Sequence, residues 1–182
     1  MTAIAEKENA IEHENKFLLT IDIGSVPQRD KLMKLHEGQY FVCPEAQGML
    51  KRLRVAPVRL GGRLVTLANI IAVSMQDLGL PDGGTFHEAY VNGLAKGLRL
   101  CPGYFALLIS KEYNRHEDGR RLYVAMTAVV HGSYSSVFVL EYDHQAGNHK
   151  SLSSSYSDHV SHRHHNPTRL DGNDVLLFWQ EP

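Results

Sequence analysis

The sequence feature that most restricts the fold is a helix signal that begins after Thr85. Thr85 can accept a hydrogen bond at a helix N-terminus, and Glu88 follows three residues later, which is the spacing of a capping box. Apolar residues then recur at helical spacing, and Gly97 suits the end of the helix. The pattern predicts a helix over residues 86–96, with an apolar stripe formed by Phe86, Ala89, Tyr90 and Leu94.

The residues after this helix have the composition of a β-sheet. Apolar runs rich in β-branched and aromatic residues alternate with polar turns, a pattern typical of an antiparallel meander. The predicted strands are 101–110, 122–130, 136–142 and a last strand at 175–179. Most of the predicted sheet therefore comes from the C-terminal half of the chain.

The residues before Thr85 contain weaker signals, mostly for short helices. Helices are predicted at 26–35 and 43–53, each with a proline in its first turn, and a strand is predicted at 17–23. Between residues 55 and 75 a buried helix and a pair of strands are both compatible with the apolar run. Its β-branched residues favour strands at 55–59 and 66–75, joined by a turn at Gly61 and Gly62.

This segregation of helices and strands predicts an α+β fold. We expect an antiparallel sheet, mostly from the C-terminal half, packed with helices from the N-terminal half. A length of 182 residues suits one domain, which we place at 16–182 behind a flexible N-terminal tail at 1–15. With two cysteines, no signal-peptide pattern and no apolar run of about 18 residues, the chain is predicted to be cytoplasmic.

One stretch of the sequence is similar to a known family. It contains the run from Leu78 to Gly83 (LGLPDG), then Thr85, Glu88, and the segment from Gly97 to Pro102. These residues resemble the core of an uncharacterised family of small bacterial proteins, common in genomes of uncultivated bacteria, and the resemblance covers roughly 65–140. It implies no activity, cofactor or site residue, but it implies that the helix from residue 86 and the strands after it form one unit.

Cys43 is the first candidate for chemistry. It precedes a predicted helix, whose dipole would favour a thiolate, and His131 and Asp143 lie at predicted strand ends. A Cys–His hydrolase needs these three side chains to meet as nucleophile, base and orienting carboxylate. The apolar residues before Cys43 instead favour a structural thiol, so we expect none of the three to be catalytic.

Histidines and carboxylates give two further candidates. A cluster of His159, His162, His164 and His165 has donors that suit zinc, nickel or copper, but no established ligand spacing is present. We therefore expect a polar surface loop without bound metal. The acidic residues Glu112, Glu117 and Asp118 lie in a polar link, where solvated turn charges are the more common outcome.

The basic residues and the charge balance bear on possible partners. The formal net charge is −1, which gives no long-range attraction for nucleic acid or an anionic membrane. The one basic concentration contains Lys51, Arg52, Arg54, Arg59 and Arg63, with Tyr40 and Phe41 nearby as possible stacking residues. We predict a non-enzymatic binding module with no cofactor, whose partner is another protein rather than a membrane or nucleic acid.

Two alternatives stay open, an enzyme with a Cys–His or His-cluster metal site and a nucleic-acid-binding module. An enzyme requires a pocket where Cys43 and a histidine converge. A nucleic-acid binder requires a continuous basic face that joins Arg52, Arg54 and Arg63. A protein-binding module shows neither, but has an exposed apolar patch or an open sheet edge.

Overall fold

A computed structural model describes residues 16–24, 41–113, 121–131, 134–143, 149–157 and 168–182. The predicted tail at 1–15 and the predicted helix at 26–35 lie outside these ranges. The elements are β1 (Lys16–Asp22), β2 (Phe41–Val42), α1 (Pro44–Leu50), β3 (Arg59–Leu60), β4 (Arg63–Leu64), β5 (Leu67–Ser74), α2 (Phe86–Ala95), α3 (Phe105–Glu112), β6 (Leu122–Val124), β7 (Val129–His131), β8 (Tyr134–Asp143), β9 (His149–Tyr156) and β10 (Val175–Gln180).

The described strands form one large sheet and one small hairpin. The large sheet has the order β1-β5-β10-β6-β8-β9-β2, with β7 paired to β8, while β3 and β4 form the hairpin. The fold is α+β, as predicted, but the sheet is mixed rather than antiparallel. Strand β10 runs parallel to β6, and β2 runs parallel to β9.

The parallel pair β10–β6 results from where the C-terminal strand inserts. Strand β10 lies between β5 and β6, antiparallel to the first and parallel to the second. Its side chains from Leu176 to Trp179 are buried, so the end of the chain joins the two halves of the sheet. The alternation of apolar and polar residues along a strand specifies which face is buried, but it does not specify which strand becomes the neighbour. The sequence pattern therefore could not predict this arrangement.

The predicted placement of the helices is also wrong in part. The strand predicted at 101–110 is wrong, because residues 105–112 form the helix α3. The helices therefore do not come only from the N-terminal half. Five of its eight residues are buried, namely Phe105, Ala106, Leu107, Ile109 and Ser110. A short apolar run of this kind has the same pattern in a buried strand and a buried helix. The sheet in turn takes β1 and β5 from the first half of the chain.

Several other predicted elements lie close to their expected positions, but two predicted strands differ. The strand predicted at 55–59 is wrong, because β3 begins only at Arg59, and the strand predicted at 122–130 is divided into β6 and β7. The helix predicted at 86–96 is α2, and both hydrogen bonds of its capping box are present: Glu88 N–H donates to Thr85 Oγ1 at 3.2 Å, and Thr85 N–H donates to Glu88 Oε2 at 2.8 Å. The open choice at 66–75 is resolved as the strand β5. Gly61 and Gly62 form the predicted turn with φ of 56° and 84°, although the strands that they join, β3 and β4, are only two residues long.

The large sheet lies between α2 and α3. Phe178 and Trp179 are neighbours on β10, so their side chains point to opposite faces. The Phe178 ring contacts Tyr90 of α2 with centroids 6.4 Å apart, and the Trp179 ring contacts Phe105 of α3 at 5.9 Å. The buried apolar residues form one core cluster, and within the described residues no helix is long and apolar enough to cross a membrane.

Candidate functional site

Cys43 lies at the N-terminus of α1, as the sequence indicates, but its thiol is not activated. It is half-buried and accepts a hydrogen bond from the Ala46 N–H, with an Sγ–N distance of 3.4 Å. Burial raises the pKa of the Cys43 thiol, and the nearby Glu45 carboxylate acts in the same direction, while the Ala46 N–H opposes both. The protonated thiol is therefore favoured at neutral pH, which does not suit a nucleophile.

The structure does not bring the predicted partners of Cys43 together. The backbone of His131 and Asp143 is described. His131 lies beside the first residue of β8, and Asp143 lies at the other end of the same strand. His131 is paired with Tyr134, where β8 begins, and Asp143 is the last residue of β8. At about 3.4 Å per residue, the two ends of β8 are about 30 Å apart, too far for both residues to form one catalytic site.

The histidine and acidic candidates give no site in the described part of the chain. His159, His162, His164 and His165 lie outside it, as do Glu117 and Asp118. Among the described residues, no group of three or more His, Cys, Asp or Glu side chains could hold a metal ion. Glu112 ends α3, where its carboxylate is 3.5 Å from the Lys111 amine on the surface.

The basic candidates divide into two sets with different surroundings. Arg63 forms an ion pair with Glu181 at 2.7 Å, and Arg59 Nη1 donates to the Gly62 carbonyl at 3.1 Å. Arg52 and Arg54 are exposed, and neither forms an ion pair with another described residue. The basic face that a nucleic-acid interface requires is therefore interrupted at Arg63, where a carboxylate neutralises the guanidinium.

Among the described residues, one polar network joins Arg121, just before β6, to the strands β8 and β9. Arg121 Nε is 2.8 Å from Glu141 Oε1, and Ser153 Oγ donates to the other Glu141 oxygen at 2.9 Å. Burial and the charge of Asp174 raise the pKa of the adjacent Tyr123 phenol. Because the phenol stays protonated and the Glu141 carboxylate is held by two partners, the network joins strands rather than providing a free base.

The described surface has one concave region at α1 and another at the start of β5. The larger, of about 400 Å³, lies along the outer face of α1 and is lined by Pro44, Gln47, Gly48, Lys51 and Arg52. Neither Cys43 nor any histidine lines it, so the convergence that an enzyme requires is not found there.

The smaller concave region, of about 210 Å³, lies where the chain enters β5 and where β10 ends. It is lined by residues 63–67 together with Glu181 and Pro182, and we name it the Leu64–Leu67 cleft. Leu64 and Leu67 are 42% and 45% exposed, and the Arg63–Glu181 ion pair lies beside them. Both leucines have the spacing of core residues, so the sequence alone does not predict this cleft.

Comparison with known proteins gives no match. No protein-family model, curated protein or solved structure is significantly similar to this chain. The resemblance to the bacterial family therefore stays a prediction, and any argument about function depends on the surface described above.

Proposed function

We propose that the protein is a non-enzymatic module that binds another protein through the Leu64–Leu67 cleft. The observation that supports the proposal is the exposure of two leucines in one concave region. Large apolar side chains that share a concave surface are typical of protein-binding sites, where an apolar centre is bordered by polar groups. Most of the exposed lining of the cleft is polar; Leu64 and Leu67 supply its apolar part, and Arg63 and Glu181 line the same region as an ion pair.

The surroundings of the cleft favour an apolar side chain of the partner as its occupant. A volume of about 210 Å³ is below the range of roughly 300–1,000 Å³ that holds a typical small-molecule ligand. It suits one large side chain that becomes an anchor of an interface. Arg63 and Glu181 are paired with each other, so a side chain that binds beside them leaves no isolated charge in the interface.

The two alternative functions have less support in the described residues. The catalytic reading requires Cys43, His131 and Asp143 to converge, and the β8 strand separates the last two. The nucleic-acid reading requires Arg63 to extend the basic face of Arg52 and Arg54, and Glu181 pairs with it instead.

The test compares two double variants that remove apolar residues of similar exposure from different surfaces. Leu64→Ser with Leu67→Ser alters the cleft, while Val91→Ser with Leu94→Ser alters α2, whose two residues are each 51% exposed. Proteins that copurify with each variant are quantified by mass spectrometry, after urea denaturation has shown that both variants fold. We expect the cleft variant to lose a partner that the wild type and the α2 variant retain. Equal retention by all three proteins would refute the proposal.

A further inference from the structure

The outer face of α1 differs from the cleft in its charge. The five residues that line its cavity of about 400 Å³ recur at positions i, i+3, i+4, i+7 and i+8, and they form one solvent-facing stripe along α1 and the turn that follows it. Gly48 has no side chain, so it leaves a depression in the middle of this stripe. Gln47 Nε2 donates to the Val42 carbonyl at 3.1 Å, which fixes one wall of the cavity.

The C-terminal end of this stripe is basic. Lys51 and Arg52 line the cavity, and Arg54 lies two residues further along the chain. Leu53, between the exposed Arg52 and Arg54, packs against Gly103; a Cβ added at Gly103 would be 2.5 Å from Leu53 Cδ2. This contact anchors the segment that contains the two arginines. No lining residue is acidic, and Glu45 is in the first turn of α1, at the opposite end of the helix.

We propose that this surface, which we name the α1 basic stripe (Gln47, Gly48, Lys51, Arg52 and Arg54), binds an acidic segment of a partner protein. The proposal rests on the protein-binding function proposed above and adds the chemistry of the partner. Carboxylates of the segment accept hydrogen bonds from Arg52 and Arg54, and guanidinium–carboxylate contacts are both charge-assisted and directional. The backbone of the segment crosses the depression at Gly48.

Charge and composition favour an acidic protein segment over nucleic acid. Binding to a phosphate backbone depends on several phosphate contacts along an extended basic surface. Here the neighbouring Arg63 is neutralised by Glu181, and the Arg59 guanidinium bonds to the Gly62 carbonyl, so the basic surface is short. The predicted stacking residue Phe41 is exposed but does not line the cavity, and no other described aromatic side chain lines it.

The experiment measures binding of the full chain to labelled probes by fluorescence anisotropy at low salt. The probes are a short peptide of alternating Glu and Ser, the same peptide with Gln in place of Glu, and an oligothymidine of similar length. Arg52→Gln with Arg54→Gln is the test variant. Arg59→Gln with Arg63→Gln is the control, because it changes the net charge by the same amount at arginines that already have internal partners.

We expect the wild type to bind the Glu/Ser peptide and not the Gln/Ser peptide. The test variant should bind the Glu/Ser peptide about tenfold more weakly, because two charge-assisted contacts are lost, while the control stays within about twofold of the wild type. Equal weakening in both variants would overturn the proposal, since binding would then follow net charge alone. No binding by the wild type, or tighter binding of the oligothymidine, would overturn it as well.

A further variant separates this proposal from the one on which it rests. Leu64→Ser with Leu67→Ser is expected to bind the Glu/Ser peptide as the wild type does, because neither leucine lines the cavity along α1. If the arginine variant loses the peptide while the cleft variant keeps every copurifying protein, the α1 basic stripe stands and the cleft proposal fails. If the copurifying protein depends on the cleft alone and no acidic peptide binds, the reverse holds.

Discussion

Replacing Gly93 of α2 by alanine should destabilise the protein, although alanine is the better helix former. Gly93 lies against the ring of Phe178 on β10. A Cβ at position 93 would be 2.5 Å from Phe178 Cζ and 2.6 Å from Cε1. The ring is fully buried in the central strand of the sheet, so it has little room to move away.

The magnitude follows from two opposing terms. Alanine is favoured over glycine inside a helix by about 1 kcal/mol. Forcing an extra methyl group into a packed core costs about 1–3 kcal/mol. We expect Gly93→Ala to lower the free energy of unfolding by about 1 kcal/mol on balance, which is roughly 2–4 °C in melting temperature for a chain of this length.

The assay is urea denaturation followed by the fluorescence of Trp179. This residue is the one tryptophan of the chain, it is buried, and it follows Phe178 directly in the sequence. Phe178→Leu removes the two clashing ring atoms, so in that background Gly93→Ala should become stabilising by about 1 kcal/mol. The control compares Val91→Gly with Val91→Ala, at an exposed position inside the same helix, and the glycine variant should be less stable by about 1 kcal/mol in both backgrounds. A higher urea midpoint for Gly93→Ala alone would refute the packing argument.

Three further predictions concern the cap of α2 and two buried side chains. Thr85→Ala should lower the free energy of unfolding by about 1 kcal/mol in urea titrations. Hydrogen bonds from Thr85 lower the pKa of Glu88, so the Glu88 carboxylate stabilises the fold above the ordinary glutamate pKa. This stabilisation is lost as the pH falls below that pKa, and the penalty of Thr85→Ala should be smaller at such low pH. Native Cys43 should react with iodoacetamide more slowly than free cysteine at neutral pH, and faster labelling would revive the hydrolase reading. Burial raises the pKa of Tyr104 from 10.0 to about 12, so stability should fall as the pH rises above 10, and Tyr104→Phe should reduce that fall; a spectrophotometric titration with an ordinary tyrosine pKa would contradict this.

The parts of the fold that the sequence predicted well depend on local chemistry. The capping box of α2 needs only Thr85 and Glu88, three residues apart, and both of its hydrogen bonds are made within one turn. The turn at Gly61 and Gly62 needs two positive φ angles, which glycine adopts without steric cost. In both places the residues that decide the structure are neighbours in the sequence, so the pattern was sufficient.

The prediction of α3 failed because its pattern was ambiguous. Its residues from Phe105 to Ile109 are apolar, and most of them are fully buried between the sheet and the rest of the core. A helix buried on nearly all sides has no polar face, so the period of 3.6 residues that distinguishes it from a strand is absent. Only contacts from elsewhere in the chain, such as the one between Phe105 and Trp179, show which conformation is packed there.

The surface could be predicted least, because the character of a surface residue depends on distant parts of the chain. In the sequence, Arg63 looks equivalent to Arg52 and Arg54, and it was assigned with them to one basic group. Its carboxylate partner is Glu181, 118 positions away in the sequence. Glu181 lies close to Arg63 because β10 pairs with β5. Strand β10 pairs with β5 from Asn69 to Ser74, and Leu67, before that paired stretch, is partly exposed although its spacing is that of a core residue. One topological feature, the central position of the C-terminal strand, thus removes a basic residue from the predicted nucleic-acid face and forms the cleft that we propose as the protein-binding site.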